Sequence, residues 1–324
     1  MHFTTASLMP NPSPPSADGL LGLVGATPLV ELTRVSPRPG RLRFFAKLEG
    51  QNPSGSIKDR IALAMVLDAE RRGLIGPGST LIEASTGNTA IALAMVARRR
   101  GYHLKVVVPE GVVPSIADVL SLYGVELCWV KPKAGMVGAI EAASDMAIRG
   151  EGHALRQFDN PVNVLTHMNT TGAEIAAALP RVDVFVAGIG TGGTLMGVSR
   201  RLREQNPALR VIGVEPRMGE RLQGLRSLND GYHPPLLDLD ALSARYLVGS
   251  DTALNMMRRV VREEGVMAGV SCGAVLHAAL QATRDLEEGV VVCMFSDGGW
   301  KYLPARPWEA AATHDPNLDE THWW

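Results

Sequence analysis

Cysteine is scarce in this chain: Cys128, Cys272 and Cys293 are the only three in 324 residues, and no two stand in a CxxC spacing. That count supports neither a disulfide framework nor a cysteine-based zinc site, and it fits a reducing cytoplasm. An excess of either charge is also missing. Lys and Arg number 32 against 33 Asp and Glu, a formal net charge of -1, so the electrostatic footprint of a nucleic-acid partner is absent. No apolar run is long enough for a transmembrane helix, and no membrane partner is expected. The eight histidines include no HExxH pair, so no catalytic metal is expected. Residues 1–18 lack the basic start and apolar centre of a signal peptide and, being rich in Pro and Ser, read as a mobile arm.

What is present is a large apolar fraction, 46% of the residues, enough for a substantial core, at a length that suggests two domains. The runs FFAKLE, TLIEA, LKVVVPE, ELCWVK, VFVAGIG, RVIGVEP and VVVCMFS alternate with helical patterns. That reads as an α/β protein of mainly parallel sheets, with ligand loops gathered at the carboxyl ends of the strands. Arginines 98–100, Arg200, Arg201, Arg203, Arg258, Arg259 and Arg262 fall late in the expected helices, where they complement the dipole. From Pro304 the chain is polar and acidic, yet it closes on His322, Trp323 and Trp324. Two tryptophans are costly to leave in water, so this end either docks on a pocket mouth or partner subunit or forms a disordered tail.

Four turns carry the chemistry. In PSGSIKDR, residues 53–60, Lys58 opens a helix whose Ala62, Met65, Val66 and Ala69 recur at i, i+3, i+4 and i+7. The dipole and partial burial there bring the neutral, nucleophilic amine within reach. In EASTGNTAIALAMVA, Ser85, Thr86, Asn88 and Thr89 surround Gly87, either to bind a carboxylate or simply to cap the helix. In VFVAGIGTGGT, Gly188, Gly190, Gly192 and Gly193 with Thr191 and Thr194 form a phosphate cradle. Gly188, Gly190 and Gly193 also satisfy GxGxxG, and Glu215 stands where a ribose-binding acid would, so a nicotinamide site is equally open from this segment. In AGVSCGA, Ser271 begins a further helix, as a ligand contact or as a cap, while Cys272 reads as a small residue filling that start.

Taken together, GATPLV, KLEGQNPSGSIKDR, STGNT, GEGHALRQFDNPVN, GTGGT, VEPRMGE, AGVSCGA and SDGGWKYL resemble, in order, the fold-type II pyridoxal phosphate (PLP) enzymes, and within them the B-type cysteine synthases. The resemblance spans nearly the whole chain except its ends, and it decides against a dehydrogenase, which gives no reason for the lysine motif or Ser271. It implies a two-domain fold like the tryptophan synthase β chain, with mainly parallel twisted sheets flanked by helices. Residues 48–157 would form a smaller mobile domain and residues 1–47 and 158–324 the larger one. Lys58 would hold PLP as a Schiff base and act as the catalytic base. Asn88, Gly190, Thr191, Gly192, Gly193, Thr194 and Ser271 would complete the cofactor site. Ser85, Thr86, Gly87, Thr89 and Gln157 would hold the substrate carboxylate.

The implied reaction is β-replacement on an O-activated L-serine through an aminoacrylate, giving L-cysteine in a cytoplasmic homodimer. The sulfur would come from sulfide, thiosulfate or a sulfur-carrier protein. A neutral Ser271 does not enforce a protonated ring, which favours β-elimination chemistry. Arg217, Arg221 and Arg226 lie in the segment after RVIGVEP, and Arg226 matches an arginine near the donor phosphate in family members that prefer O-phosphoserine, but a related arginine also occurs in members that use O-acetylserine, so both donors stay open. The family's Thr-Ser-Gly-Asn-Thr-Gly loop is altered here at Ser85, Thr86 and Ala90, where an added methyl could narrow the pocket, and GVVPSIADVL replaces a charged stretch. These departures keep open serine or threonine dehydration, a specialised β-substituted alanine synthase, and, against the intact cofactor residues, a catalytically silent paralogue.

Overall fold

The computed structural model describes residues 19–109, 114–131, 135–220, 222–305 and 322–323. The proposed mobile arm, Arg221 and most of the tail lie outside them. Two strands, β1 (Leu29–Glu31) and β2 (Leu42–Leu48), lead to α1 (Lys58–Arg71). Then come β3 (Thr80–Ala84), α2 (Asn88–Arg100), β4 (His103–Pro109), α3 (Pro114–Leu122), β5 (Glu126–Val130), α4 (Gly135–Ile148) and β6 (His153–Ala154). The next stretch is helical, α5 (Pro161–His167) and α6 (Ala173–Ala178), before β7 (Val184–Gly188), α7 (Gly193–Arg203), β8 (Arg210–Pro216) and β9 (Ala244–Val248). Last are α8 (Ser250–Glu264), α9 (Val270–Ala282), β10 (Gly289–Phe295) and β11 (His322–Trp323).

The strands form two sheets. One has seven, in the order β1-β2-β10-β7-β8-β9-β11, parallel from β2 to β9 and antiparallel at both edges. The other has four, β5-β4-β3-β6, parallel throughout. Both faces of each are covered by helices, as parallel sheets require. Val275 and Met257 of α9 and α8 pack on one face of the larger sheet, and Leu195 and Val198 of α7 on the other. On the smaller sheet, α1 and α2 cover one face through Ile61, Met65, Leu93 and Val96, and α4 the other through Ala139 and Ala143. Leu21 joins that smaller cluster although it precedes β1. At the far edge, the backbone of His322 and Trp323 pairs with Tyr246 and Arg245 of β9 and satisfies an open strand edge, while Trp324 lies outside the described residues.

The helix that carries Lys58 is anchored by charge. Arg60 is 3% exposed, and its guanidinium forks onto two carboxylates. Nε and Nη2 donate to Glu49 at 2.7 and 2.8 Å, and Nη1 and Nη2 to Glu174 of α6 at 2.7 and 2.8 Å. Lys47 of β2 donates to Glu174 at 2.6 Å, and Thr27 and Asn52 to Glu49 at 2.6 and 2.8 Å. Two cations thus face two anions with their lone pairs used, the condition under which buried ions are tolerated.

Glu174 titrates at about 2 instead of 4.5: burial pushes it up, but the hydrogen bonds from Arg60 and Lys47 outweigh that. A carboxylate lowered on folding adds stability above its unfolded value, here 4.5, and loses it as the pH falls towards 2. The shift corresponds to about 3 kcal/mol at neutral pH. In urea denaturation, Glu174→Gln is expected to lose about that much at pH 7, with the gap to wild type narrowing as the pH is lowered below 4.5. A gap that stays constant with pH would refute the ionic origin.

Candidate active site

Lys58 is the first residue of α1, and its loop is pinned from the larger sheet. Ile57 donates to Ser296 O at 2.8 Å, Gly298 donates to Gly55 O at 3.3 Å, and Ser56 bridges Asp297 just past β10. Asp59 closes the turn from inside by accepting from Ser54 N and Oγ. Lys58 as a whole is half-buried, but its amine is desolvated, which draws it from 10.5 down to about 8 against the opposing pull of Asp297. Lys58 therefore has an accessible neutral form near physiological pH.

The glycine turn after β7 leads into α7. Gly192 has φ +86°, a left-handed conformation that favours glycine, and a methyl there would meet Leu237 N at 2.9 Å. A methyl on Gly193 would overlap the amide of Asn163. The turn therefore stays bare, with its backbone at a helix N-terminus of three turns, suited to an anion. Asn163 Nδ2 donates to Thr191 Oγ1 at 3.0 Å, while its Oδ1 is buried without a hydrogen-bond partner. Thr194 Oγ1 lies 3.3 Å from His167 Nε2, and His167 Nδ1 lies 3.0 Å from Thr171 Oγ1. Burial, then the charges of Lys58 and Arg60, keep His167 neutral.

The turn after β3 shows both of its readings. Ser85 is buried, and its Oγ accepts from Gly87 N at 3.3 Å and Ala90 N at 3.2 Å, so this hydroxyl caps α2. Thr86 is exposed. Thr89 donates to Gln157 Oε1 at 2.7 Å, and Gln157 Nε2 donates to Ala84 O at 2.9 Å, bringing together two residues 68 apart in sequence. Asn163 Nδ2 also donates to Gln157 O at 2.9 Å and so ties this turn to the glycine turn. Beneath them Glu83 accepts from Ala84 N and Gln157 N, and burial pushes its carboxyl up to about 8. The methyl of Ala90 is fully buried in the α1–α2 cluster, so it fills the core and does not narrow a pocket.

One segment touches the turns after β3 and β7 and faces the start of α9. A methyl on Gly87 would lie 4.0 Å from Gln223 Nε2, one on Gly188 would overlap Leu225, and one on Gly190 would lie 3.4 Å from Gly224 O. Gly224 in turn faces Ser271 Oγ, 3.9 Å from where its own methyl would be. Arg226 donates its backbone N–H to Ile189 O at 2.7 Å, and its guanidinium stacks on Phe158 and Tyr232, 5.2 and 5.1 Å from the ring centroids. Arg217 lies farther off, beside Gly249 at the start of α8. Glu215, the acid a ribose would need, accepts from Leu228 N at 2.7 Å and Arg245 Nη1 at 3.0 Å. It is a buried structural anion, which removes the nicotinamide reading. Cys272 is buried and its thiol is pushed up to about 12, which fits a filler and not a nucleophile.

Sequence reasoning passed over Asp297, Lys301, Asn163, His167 and Glu83. Asp297 Oδ2 accepts from Asn88 Nδ2 at 2.8 Å and Tyr302 Oη at 2.7 Å. A polar SDGG turn directly after the apolar run VVVCMF, and an acid inside TLIEA, are the signals that could have found two of them.

A near-neutral lysine, a bare anion turn at a helix N-terminus and a hydroxyl at a second helix start suit a phosphorylated aromatic aldehyde, so these residues fit PLP. A family model described as pyridoxal-phosphate dependent enzyme matches residues 20–297. The chain is similar to cysteine synthase B of Salmonella typhimurium, 41% identical over 281 residues, covering 86% of this chain and 92% of that protein. Among solved structures, O-ureido-L-serine synthase is similar with a TM-score of 0.84 at 35% identity, covering 92% and 97% of the two chains. Cysteine synthase from Entamoeba histolytica has a TM-score of 0.84 at 30% identity, covering 95% of each. With the match running from before the first strand to Asp297, this chain belongs to the family of pyridoxal-phosphate dependent enzymes.

Proposed function

We propose that this protein makes L-cysteine by β-replacement, exchanging the oxygen leaving group of an O-activated L-serine for a sulfur nucleophile. The observation that carries this reading is that the turn after β3, the glycine turn and Ser271 gather under the segment of Gln223, Gly224, Leu225 and Arg226, while the loop of Lys58 is pinned to the turn of Ser296 and Asp297 that also holds Asn88. Pyridoxal phosphate, when bound, supplies the electron sink that acidifies the substrate Cα. Lys58 Nζ holds the cofactor covalently and, once released, takes the Cα proton, a role suited to an amine near 8. Gly190, Thr191, Gly192, Gly193 and Thr194 hold the phosphate through backbone N–H groups and hydroxyls. Asn88 faces the ring hydroxyl, and Ser271 faces the ring nitrogen as a neutral partner. Thr86, Gly87, Thr89 and Gln157 receive the substrate carboxylate, with Ser85 holding their turn in shape.

Residues 48–157 act as the smaller domain that closes over the substrate, a reading supported by their carrying the entire four-stranded sheet. Closure excludes water while the β-carbon is electrophilic. The reading extends to a cytoplasmic homodimer, the first supported by three free cysteines and the second by the family resemblance. The sulfur source belongs to the same set as before: sulfide, thiosulfate or a carrier protein. Arg226 recognises a phosphoryl leaving group, with Phe158 and Tyr232 fixing the direction of its guanidinium.

Lys58→Ala is expected to abolish turnover while the protein keeps its circular dichroism and still binds the cofactor without a covalent link. Wild-type turnover in that variant would overturn the role of Lys58. Ser271→Asp is expected to favour a protonated ring and slow the replacement, seen as a changed visible spectrum. An unchanged spectrum and rate would reduce Ser271 to a helix start. For the donor, Arg226→Ala is expected to cost roughly 2–4 kcal/mol in the first half-reaction with O-phosphoserine and much less with O-acetylserine. Equal losses, or no wild-type reaction with O-phosphoserine, would leave O-acetylserine as the donor.

A further inference from the structure

We propose that Lys301 and Asp297 are positioning residues that fix the side-chain amide of Asn88 so that it meets the cofactor as a hydrogen-bond donor only. Lys301 Nζ donates to Asn88 Oδ1 at 2.8 Å, and Asn88 Nδ2 donates to Asp297 Oδ2 at 2.8 Å. The two partners agree on one orientation. An ammonium has donors and no acceptor, and Asp297 Oδ2 already accepts from Tyr302 Oη, so it serves Asn88 as an acceptor; burial raises Asp297 and lowers Lys301, and the charge of each opposes that shift in the other. Turning the amide over would set its N–H group against Lys301 and its oxygen against Asp297, two repulsions in place of two charge-assisted bonds.

Both clamps are themselves held. Asp297 is 3% exposed, and its Oδ2 also accepts from Tyr302 Oη at 2.7 Å. The stem of Lys301 crosses the turn before Lys58, where Gly55 adopts φ +86° and a methyl would stand 2.9 Å from Lys301 Cε. The glycine at 55 therefore makes the groove in which Lys301 lies. With Oδ1 committed to a cation and one N–H to an anion, the amide has one N–H left for a ligand. It selects an oxygen that accepts, an ionised ring hydroxyl in preference to a protonated one. This rests on the reading that Asn88 faces the ring hydroxyl.

The test measures PLP affinity of the apoprotein by equilibrium dialysis, together with the absorption band of the bound cofactor across pH, for Lys301→Met, Lys301→Arg, Asn88→Ala and the double variant Lys301→Met with Asn88→Ala. Loss of a charged hydrogen-bond partner predicts about tenfold weaker binding and a displaced band for Lys301→Met. Lys301→Arg should restore both, and the double variant should be no weaker than Asn88→Ala alone, with the apoproteins melting alike. Wild-type affinity and spectrum in Lys301→Met beside an impaired Asn88→Ala would overturn the clamp alone. So would fully additive losses, or a defect that Lys301→Arg fails to relieve. An unimpaired Asn88→Ala would overturn the placement of Asn88 at the cofactor, and the clamp with it.

Discussion

The buried fork of Arg60 onto Glu49 and Glu174 is the constraint on which the site depends. Ser56 Oγ accepts from Lys58 N at 3.3 Å, and the residue before α1 is already in a helical conformation. Beyond these local bonds the helix start is held by the guanidinium two residues on, planar and paired with carboxylates from the end of β2 and from α6. Lys47 balances the second anion from within the larger sheet. The smaller sheet's first helix is thereby tied to the larger sheet by charge as well as by apolar packing. Removing one member would strand the others in a dry interior, a loss of about 3–5 kcal/mol.

On that frame, two short segments complete the site. The one from Gln223 to Arg226 joins the turns after β3 and β7 to Ser271. The turn of Ser296, Asp297 and Gly298 joins the loop before Lys58 to Asn88 and, through Gly269 N donating to Asp297 O at 3.1 Å, to the start of α9. Around the lysine amine stand a buried carboxylate and a neutral histidine. Desolvation leaves the amine readily deprotonated, while the charge of Asp297 pulls the other way and keeps the ammonium form within reach.

Much of this was legible in the sequence because its signals are local. The apolar spacing of Ala62, Met65, Val66 and Ala69 gave α1 its start at Lys58, and each apolar run named as a strand is one. β1, β6 and β11 hold two or three residues, too few for any period, so they emerge only from pairing. The glycine turn by itself reads equally as a cradle or a dinucleotide motif; the lysine motif and Ser271 decide against the second in the sequence, and Glu215, spent on Leu228 and Arg245, agrees. Ser85 and Ala90 look alike to a sequence reader, as loop residues near a ligand, whereas one caps a helix and the other fills the core. Asp297 and Lys301 were hidden because their meaning lies in Asn88, 209 and 213 residues away.

The central claim is a two-step replacement in which the leaving group departs before sulfur arrives. Its most direct measurement is rapid mixing of the holoenzyme with O-acetylserine or O-phosphoserine without any sulfur compound, following release of acetate or phosphate. A burst of about one equivalent per active site is expected, then a halt, with L-cysteine formed only when sulfide is added. Continuous release with accumulation of pyruvate, or no release before sulfide is present, would contradict it.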